Sequence, residues 1–461
     1  MRRKKHRQQS AGTLQQLRAN IAQDNAIYLF ISACMLFGGG PGELGVSFVV
    51  IALAGLYVLL SSIWKGNLQR FAQLPLLVRL AVSFSIALPL MQLIPLPPGL
   101  WQALPGHELR AEILSSLRAA DIWLPLSITP AETAYSAVMA LSVFGLFLSI
   151  LGIPTDRIRS VLLWVSALIG LGVLVGLIQV FTAGKALQFH PVMHRDALVG
   201  FFANKNHMGL LLACAIPLMY VLAEKRIVAS NAAGLFLAVG FVAIVGLLVA
   251  TNSRAGLALG VLAITLVALR RFSAHRLRVV GFAGGVIVAS ILIASFVPVV
   301  DDLLSRVGTA QDDARVDFLD RGAPLIEQYG VVGSGLGSFT YVYAPTERLD
   351  WVTGAYLNHL HNDYLQLVIE GGIAGALAMA LWLGALMQAA MRLKMQASGK
   401  DVYQDEVRVF AWLGAVIIAL FLAHSLVDYP FRRMGTLAIL TIATAIFLFP
   451  LLPRISTARS S

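Results

Sequence analysis

Apolar residues run through this chain in long, nearly unbroken stretches, unlike the one-faced helices and alternating strands of soluble domains. They are Ala26–Phe37, Leu44–Trp64, Leu74–Ile94, Ala134–Leu151, Ile158–Phe181, Phe201–Ala223, Ala232–Ala250, Ala255–Leu269, Val279–Val297, Tyr364–Met391, Val407–Val427 and Gly435–Leu452. A helix needs roughly 20 apolar residues to cross the hydrocarbon core of a bilayer, and lipid requires each backbone polar group to be satisfied within its own segment. The pattern therefore predicts an all-α polytopic membrane protein with about 12 transmembrane helices, the first and eighth short enough to be tilted or extended by polar ends. The expected organisation is a tail over 1–25, nine helices over 26–297 with an outer loop at 95–132, a long outer loop at 298–362, three helices over 363–452 and a tail over 453–461.

Composition agrees with the pattern. The 461 residues are 58% hydrophobic and 13% charged, with a mean hydropathy of +0.77. Soluble domains carry about 25% charged residues, so an ordinary soluble enzyme, a disordered chain and a coiled coil are excluded. Both cysteines, Cys34 and Cys214, fall inside apolar stretches, with no disulfide framework and no zinc spacing.

The net charge of +11 raises the question of nucleic acid. With the basic start MRRKKHR on the inside, 22 of the 35 Lys and Arg fall in inside segments, while 18 of the 24 acids lie outside or near the outer face. That bias is an orientation signal and places both termini in the cytoplasm. No nucleic-acid partner is expected. The first apolar stretch is expected to stay as an anchor, because GGGPGE after it lacks a small-residue cleavage site. No repeat or inverted pair of broken helices stands out, which weakens a transporter reading.

Candidate chemistry gathers at the outer ends. Helix packing needs only short turns, so a long polar loop such as 298–362 is where ligand work is expected. Asp313–Gln328 can form a helix stopped by Gly330. Gly333, Gly335 and Gly337 superficially resemble a phosphate loop, but lack the Lys-Ser/Thr that would follow and read better as a tight turn or an anion cradle. In HLHND, histidine takes a proton near neutral pH, so His361 beside an amide and a carboxylate is a candidate general base. An interfacial cap is the plainer reading, and the cluster has ligand types for a metal but no third ligand at recognisable spacing. Arg254 in TNSRAG, an arginine at membrane depth, calls for an anionic partner, a neighbouring acid or snorkelling. Asn204–His207 in GFFANKNHMG either line a head-group or sugar site or cap a helix. HSLVDYPFRR puts Asp428, Arg432 and Arg433 on the same outer face.

In the order GFFANKNHMG, TNSRAG, ARVDFLDRGAPLIEQYGVVGSGLGSF, HLHNDYLQLVIEGGIAG and HSLVDYPFR, the chain resembles the bacterial O-antigen ligase and polymerase superfamily of membrane glycosyltransferases. The resemblance covers Gly200 to Arg433. It implies a GT-C-like helical fold in the bacterial inner membrane, with the active site on the periplasmic face. It also implies transfer of a glycan from undecaprenyl pyrophosphate without metal or other cofactor, to lipid A-core or to another lipid-linked glycan. The family's two functional arginines map to Arg254 and Arg315 and its histidine to His361, with His359 the nearby alternative. Expected substrate contacts are Arg254, Arg315, His359, Asn362, Asn204 and Lys205. Direct attack at the anomeric carbon would invert its configuration. A polymerase of the same superfamily and a transporter of lipid-linked sugars are the competing readings.

Overall fold

The structure, a computed structural model, describes residues 23–40, 45–195, 197–224, 233–272, 310–348, 357–395 and 402–453, with the side chains of 233–238, 310–319, 395 and 402–404 excluded. The basic N-terminal tail, the expected ninth span Val279–Val297 and the Arg315 side chain lie outside the described residues.

The described helices are α1 (Asn25–Phe37), α2 (Val46–Trp64), α3 (Asn67–Ala72), α4 (Leu76–Gln92), α5 (Pro98–Trp101), α6 (Glu108–Ser116), α7 (Pro130–Gly152), α8 (Thr155–Phe181) and α9 (Lys205–Glu224). They continue with α10 (Ala233–Ala250), α11 (Arg254–Arg271), α12 (Ala310–Tyr329), α13 (Phe339–Tyr343), α14 (Asp363–Met395), α15 (Val402–His424) and α16 (Met434–Leu448). Eleven of the twelve apolar stretches coincide with one of them. Among the described residues seven helices are long and apolar enough to cross a membrane, namely α2, α7, α8, α9, α14, α15 and α16. Helices α1 and α4 and residues 239–250 of α10 are shorter apolar helices. The fold is that of an all-α polytopic membrane protein.

Between membrane helices the driving force is close packing, so small residues set the approach. A Cβ on Gly209 of α9 would sit 2.8 Å from the Cα of Gly256 of α11. This contact brings the polar starts of α9 and α11 together. One large apolar core runs through α1, α2, α4, α7–α11 and α14–α16. A smaller one, Leu325, Tyr329, Phe339, Val342, Tyr343, Leu360 and Ile369, fixes α12, α13 and the HLHND segment against the start of α14.

The loop between α4 and α7 is folded as well. Short strands β1 (Pro95–Leu96) and β2 (Leu124–Pro125) pair antiparallel and close it, and α6 falls where the Glu108–Ala119 stretch predicts a helix. The loop is tied to the glycine-rich strap by Ile128 N–H donating to Ser334 O (2.9 Å) and Leu336 N–H donating to Gln92 Oε1 (2.9 Å). Gly335 has φ +104°, and a Cβ there would lie 2.3 Å from Ser127 Oγ. The strap's glycines thus serve a tight passage between two loops.

Candidate active site

The HLHND segment is a helix start. Asn362 caps α14, its Oδ1 accepting from Leu365 N–H (3.0 Å) while its Nδ2 donates to Leu426 O (3.1 Å). The chain reaches that cap through His361 at φ +54°. A left-handed conformation is uncommon for a residue with a Cβ and costs on the order of 1–3 kcal/mol, a kind of strain that clusters at functional sites.

The carboxylate that His361 meets is not its sequence neighbour Asp363 but Asp428, from the turn after α15. His361 Nδ1 stands 3.3 Å from Asp428 Oδ1, and the imidazole keeps 22% of its surface exposed. Asp428 is buried and accepts from Asn206 Nδ2 (2.6 Å), Asn204 Nδ2 (3.3 Å) and Tyr429 N–H (2.9 Å). The rings of His207 and His424, both buried, approach the same carboxylate at 3.9 and 3.7 Å. Burial alone would raise the Asp428 carboxyl, but His361, His207 and His424 around it hold it well below the usual carboxylate range. It is an anion shared by three imidazoles.

His359 is differently placed. Burial, with Arg433 and Arg432 nearby, pushes its imidazole well below the ordinary histidine value. Its Nδ1 accepts from Gln366 Nε2 (3.2 Å). A neutral ring that accepts at Nδ1 carries its proton on Nε2, so His359 is set to donate. Tyr429 separates the imidazoles, its ring 4.2 Å from that of His359, 4.9 Å from His361 and 5.1 Å from His207.

Asp363 and Glu370 are used by the fold. Arg432 donates to Asp363 Oδ1 (3.1 Å) and Glu370 Oε2 (2.6 Å), and Asp363 also accepts from Ser425 Oγ (3.2 Å) and Phe431 N–H (3.1 Å). Glu370 accepts from Gln366 Nε2 (3.0 Å) as well. Just beyond it α14 kinks at Gly372, φ +59°, where a Cβ would lie 2.5 Å from the backbone of Val332. The EGG motif is thus the seam between α14 and the strap.

The remaining expected site residues fall as follows. Asn204 caps α9 by accepting from Asn206 N–H (2.9 Å) and turns its amide to Asp428. Lys205 is the first residue of α9 and half-buried. Arg254 is the exposed first residue of α11, whose cap Ser253 accepts from Gly256 N–H (2.9 Å) and donates to Asn206 Oδ1 (2.7 Å). Arg315 lies in α12. The structure therefore links Arg254's helix, Asn206, Asp428 and His361 through one polar chain. Sequence reasoning missed the Asp428 partnership and the roles of His424 and Arg432; the spacing of His424 and Asp428, four apart across a helix end, was the available signal.

His207, His424 and Asp428 offer ligand atoms within 4.8 Å of one another and could hold a metal ion. This trio differs from the HxH-D set that the sequence suggested, because it draws on two helices and a turn.

Beside the cluster is a cavity of about 900 Å³ walled by α4, α7, α14, α15 and α16. Its rim carries Glu132, Tyr341, Asn358, His359, Arg432 and Arg433, and its depth is mostly apolar, reaching Phe147 and Leu386. A cavity of this size, with an apolar body and a few convergent polar groups, is the form of a ligand site.

A polytopic helical membrane protein with a histidine–carboxylate pair beside an apolar, polar-rimmed cavity is the class that fold and site define together. Within the chain, residues 239–380 match a family model described as O-Antigen ligase. The matched segment includes Arg254, Arg315, His359 and His361, and supports the O-antigen ligase and polymerase superfamily, a glycosyltransferase-like activity and lipid-linked glycan substrates. No curated protein matches the chain.

Proposed function

We propose that this protein is an O-antigen ligase-like glycosyltransferase of the bacterial inner membrane. It moves a glycan from undecaprenyl pyrophosphate to a sugar hydroxyl of lipid A-core on the periplasmic face. The observation that carries the mechanism is the His361–Asp428 pair, 3.3 Å apart, joined through the Tyr429 ring to His359, which lines the cavity. With Nδ1 turned to the carboxylate, Nε2 takes the proton of the acceptor hydroxyl, and Asp428 steadies the imidazolium as the proton transfers. The deprotonated oxygen attacks the anomeric carbon, the bond to pyrophosphate breaks, and the sugar inverts. Arg254 and Arg315 bind the departing pyrophosphate, since guanidinium stays charged and meets phosphate oxygens in pairs. His359 donates to substrate oxygen from Nε2. Asn362, Asn204 and Lys205 complete the substrate surface, the two asparagines acting through the backbone and carboxylate that they hold. In this reading no metal takes part.

Purified protein in EDTA, given the undecaprenyl-pyrophosphate glycan and lipid A-core, tests the reading with wild type, His361→Ala and Asp428→Asn of equal fold. Transfer by the wild type should fall ~10²–10⁴-fold in each variant, mostly in kcat, as for loss of general-base assistance. Polymer formed from donor alone moves the assignment to a polymerase, and translocation without a new glycosidic bond to a transporter. Retained activity in His361→Ala removes that residue from the mechanism, and loss of activity in EDTA restored by a divalent ion makes the His207–His424–Asp428 trio a metal site.

A further inference from the structure

Arg433 follows directly on Arg432 but is used differently. Its guanidinium is buried at 5% exposure, donates to Gly40 O (2.7 Å) and lies 5.1 Å over the Tyr429 ring. Arg432 meets two carboxylates, whereas among the described residues none comes within ion-pair distance of Arg433. A buried cation in a mostly apolar wall, with no described acid within ion-pair distance, calls for an anionic ligand.

The cavity that Arg433 lines is elongated. Its wall on α7 runs from Glu132 to Phe147, which at ~1.5 Å per helical residue is roughly 22 Å. That is a slot for a hydrocarbon chain, with hydroxyl-binding groups (Glu132, Tyr341, Asn358) at the same end as the cation. Its position relative to Arg254 separates two substrates. Arg254 heads α11, and the bonds Ser253–Asn206–Asp428 put that helix start on the α9 and α11 side of Asp428. The cavity takes its walls from α4, α7, α14, α15 and α16, and none from α9 or α11.

We propose that the cavity holds the lipid anchor of the acceptor, with Arg433 on its phosphate. The donor pyrophosphate engages Arg254 on the far side of the His361–Asp428 pair. This assignment rests on the transferase reading above. The ligand class is a phosphate-bearing lipid that carries a glycan, whether the acylated phosphoglycan of lipid A-core or the polyprenyl pyrophosphate of a second repeat unit. Two lipid-borne glycans then approach the base from opposite flanks without competing for one chain slot.

The test uses full-length protein in nanodiscs as wild type, Arg433→Gln and Ala140→Trp. Ala140 is on the cavity wall, so tryptophan there narrows the slot without touching Arg433. Transfer is measured with donor and acceptor varied separately, alongside direct binding of lipid A-core, undecaprenyl-pyrophosphate glycan and phosphatidylglycerol. Losing one charge-assisted contact should raise the acceptor's KM and Kd roughly 10- to 100-fold in Arg433→Gln. Ala140→Trp should move the same way, with the donor's KM unchanged in both. With lipid A-core as acceptor the dependence should fall on lipid A-core, and in polymer formation from the undecaprenyl-pyrophosphate glycan alone it should fall on that glycan, which identifies the anchor. A rise confined to the donor when lipid A-core is the acceptor and no polymer forms from donor alone, unaltered acceptor binding in both variants, or equal competition by phosphatidylglycerol overturns the proposal. Should Arg433→Gln not fold, Ala140→Trp decides alone. Acceptor binding with these dependences but no transfer by the wild type would sink the transferase reading and leave the site standing.

Discussion

Replacing Arg432 by glutamine probes how the site is held. Arg432 is the common partner of Glu370 and Asp363, which are 0% and 4% exposed. Breaking a buried ion pair by removing one partner costs about 3–5 kcal/mol, chiefly because a charge is left uncompensated. Both carboxylates keep other donors, Gln366 Nε2 for Glu370 and Ser425 Oγ with Phe431 N–H for Asp363. The lower end, about 3 kcal/mol, is therefore expected. At roughly 2–4 °C per kcal/mol this lowers the melting temperature by roughly 6–12 °C, read by tryptophan fluorescence in matched detergent. Adding Glu370→Gln removes one stranded charge, so the double variant should be more stable than the sum of the two single losses by ~1–3 kcal/mol. An Arg432→Gln protein that melts with the wild type, or strict additivity in the double variant, would refute the view that Arg432 acts by neutralising this pair.

Two further predictions concern the loops that join the helices. Gly335→Ala must put a Cβ at φ +104° and 2.3 Å from Ser127 Oγ; a loss of ~1–3 kcal/mol is expected in chemical denaturation, and a neutral result would mean that the strap is not packed as described. His107, at the start of α6 within the loop between α4 and α7, is buried, and burial, with Arg110 close by, lowers its imidazole to about 4. An unfolded histidine titrates near 6.5, so between pH 6.5 and 4 the unfolded chain binds the extra proton and folding stability falls as pH falls, by up to ~3 kcal/mol. His107→Phe should flatten the stability profile across that window, and an unchanged slope would dissociate it from His107.

Much of the fold was legible because a bilayer imposes one simple rule. A segment without water must satisfy its own backbone, so the eleven long apolar stretches that fall within the described residues each coincide with a helix. Caps were legible too: asparagine before the apolar run at Asn204 and Asn362, and serine at Ser253, announce helix starts through the side-chain oxygen they offer. The glycines of the strap signalled positive φ for the same local reason.

Pairing across the chain was not legible. The sequence put His361 next to Asp363, and adjacency suggested that the two act together. The helix start turns Asp363 inward to Arg432, Ser425 and the Phe431 amide, while the turn after α15 brings Asp428 to His361. Likewise Arg432 and Arg433 read as one basic pair on the outer face, yet one meets two buried carboxylates and the other, among the described residues, has none within ion-pair distance. Periodicity and capping are decided by neighbours within a few residues, which the sequence states directly. Which carboxylate meets which base depends on how helices far apart in the chain pack, and there the contact surfaces of α9, α11, α14 and α15 made the choice.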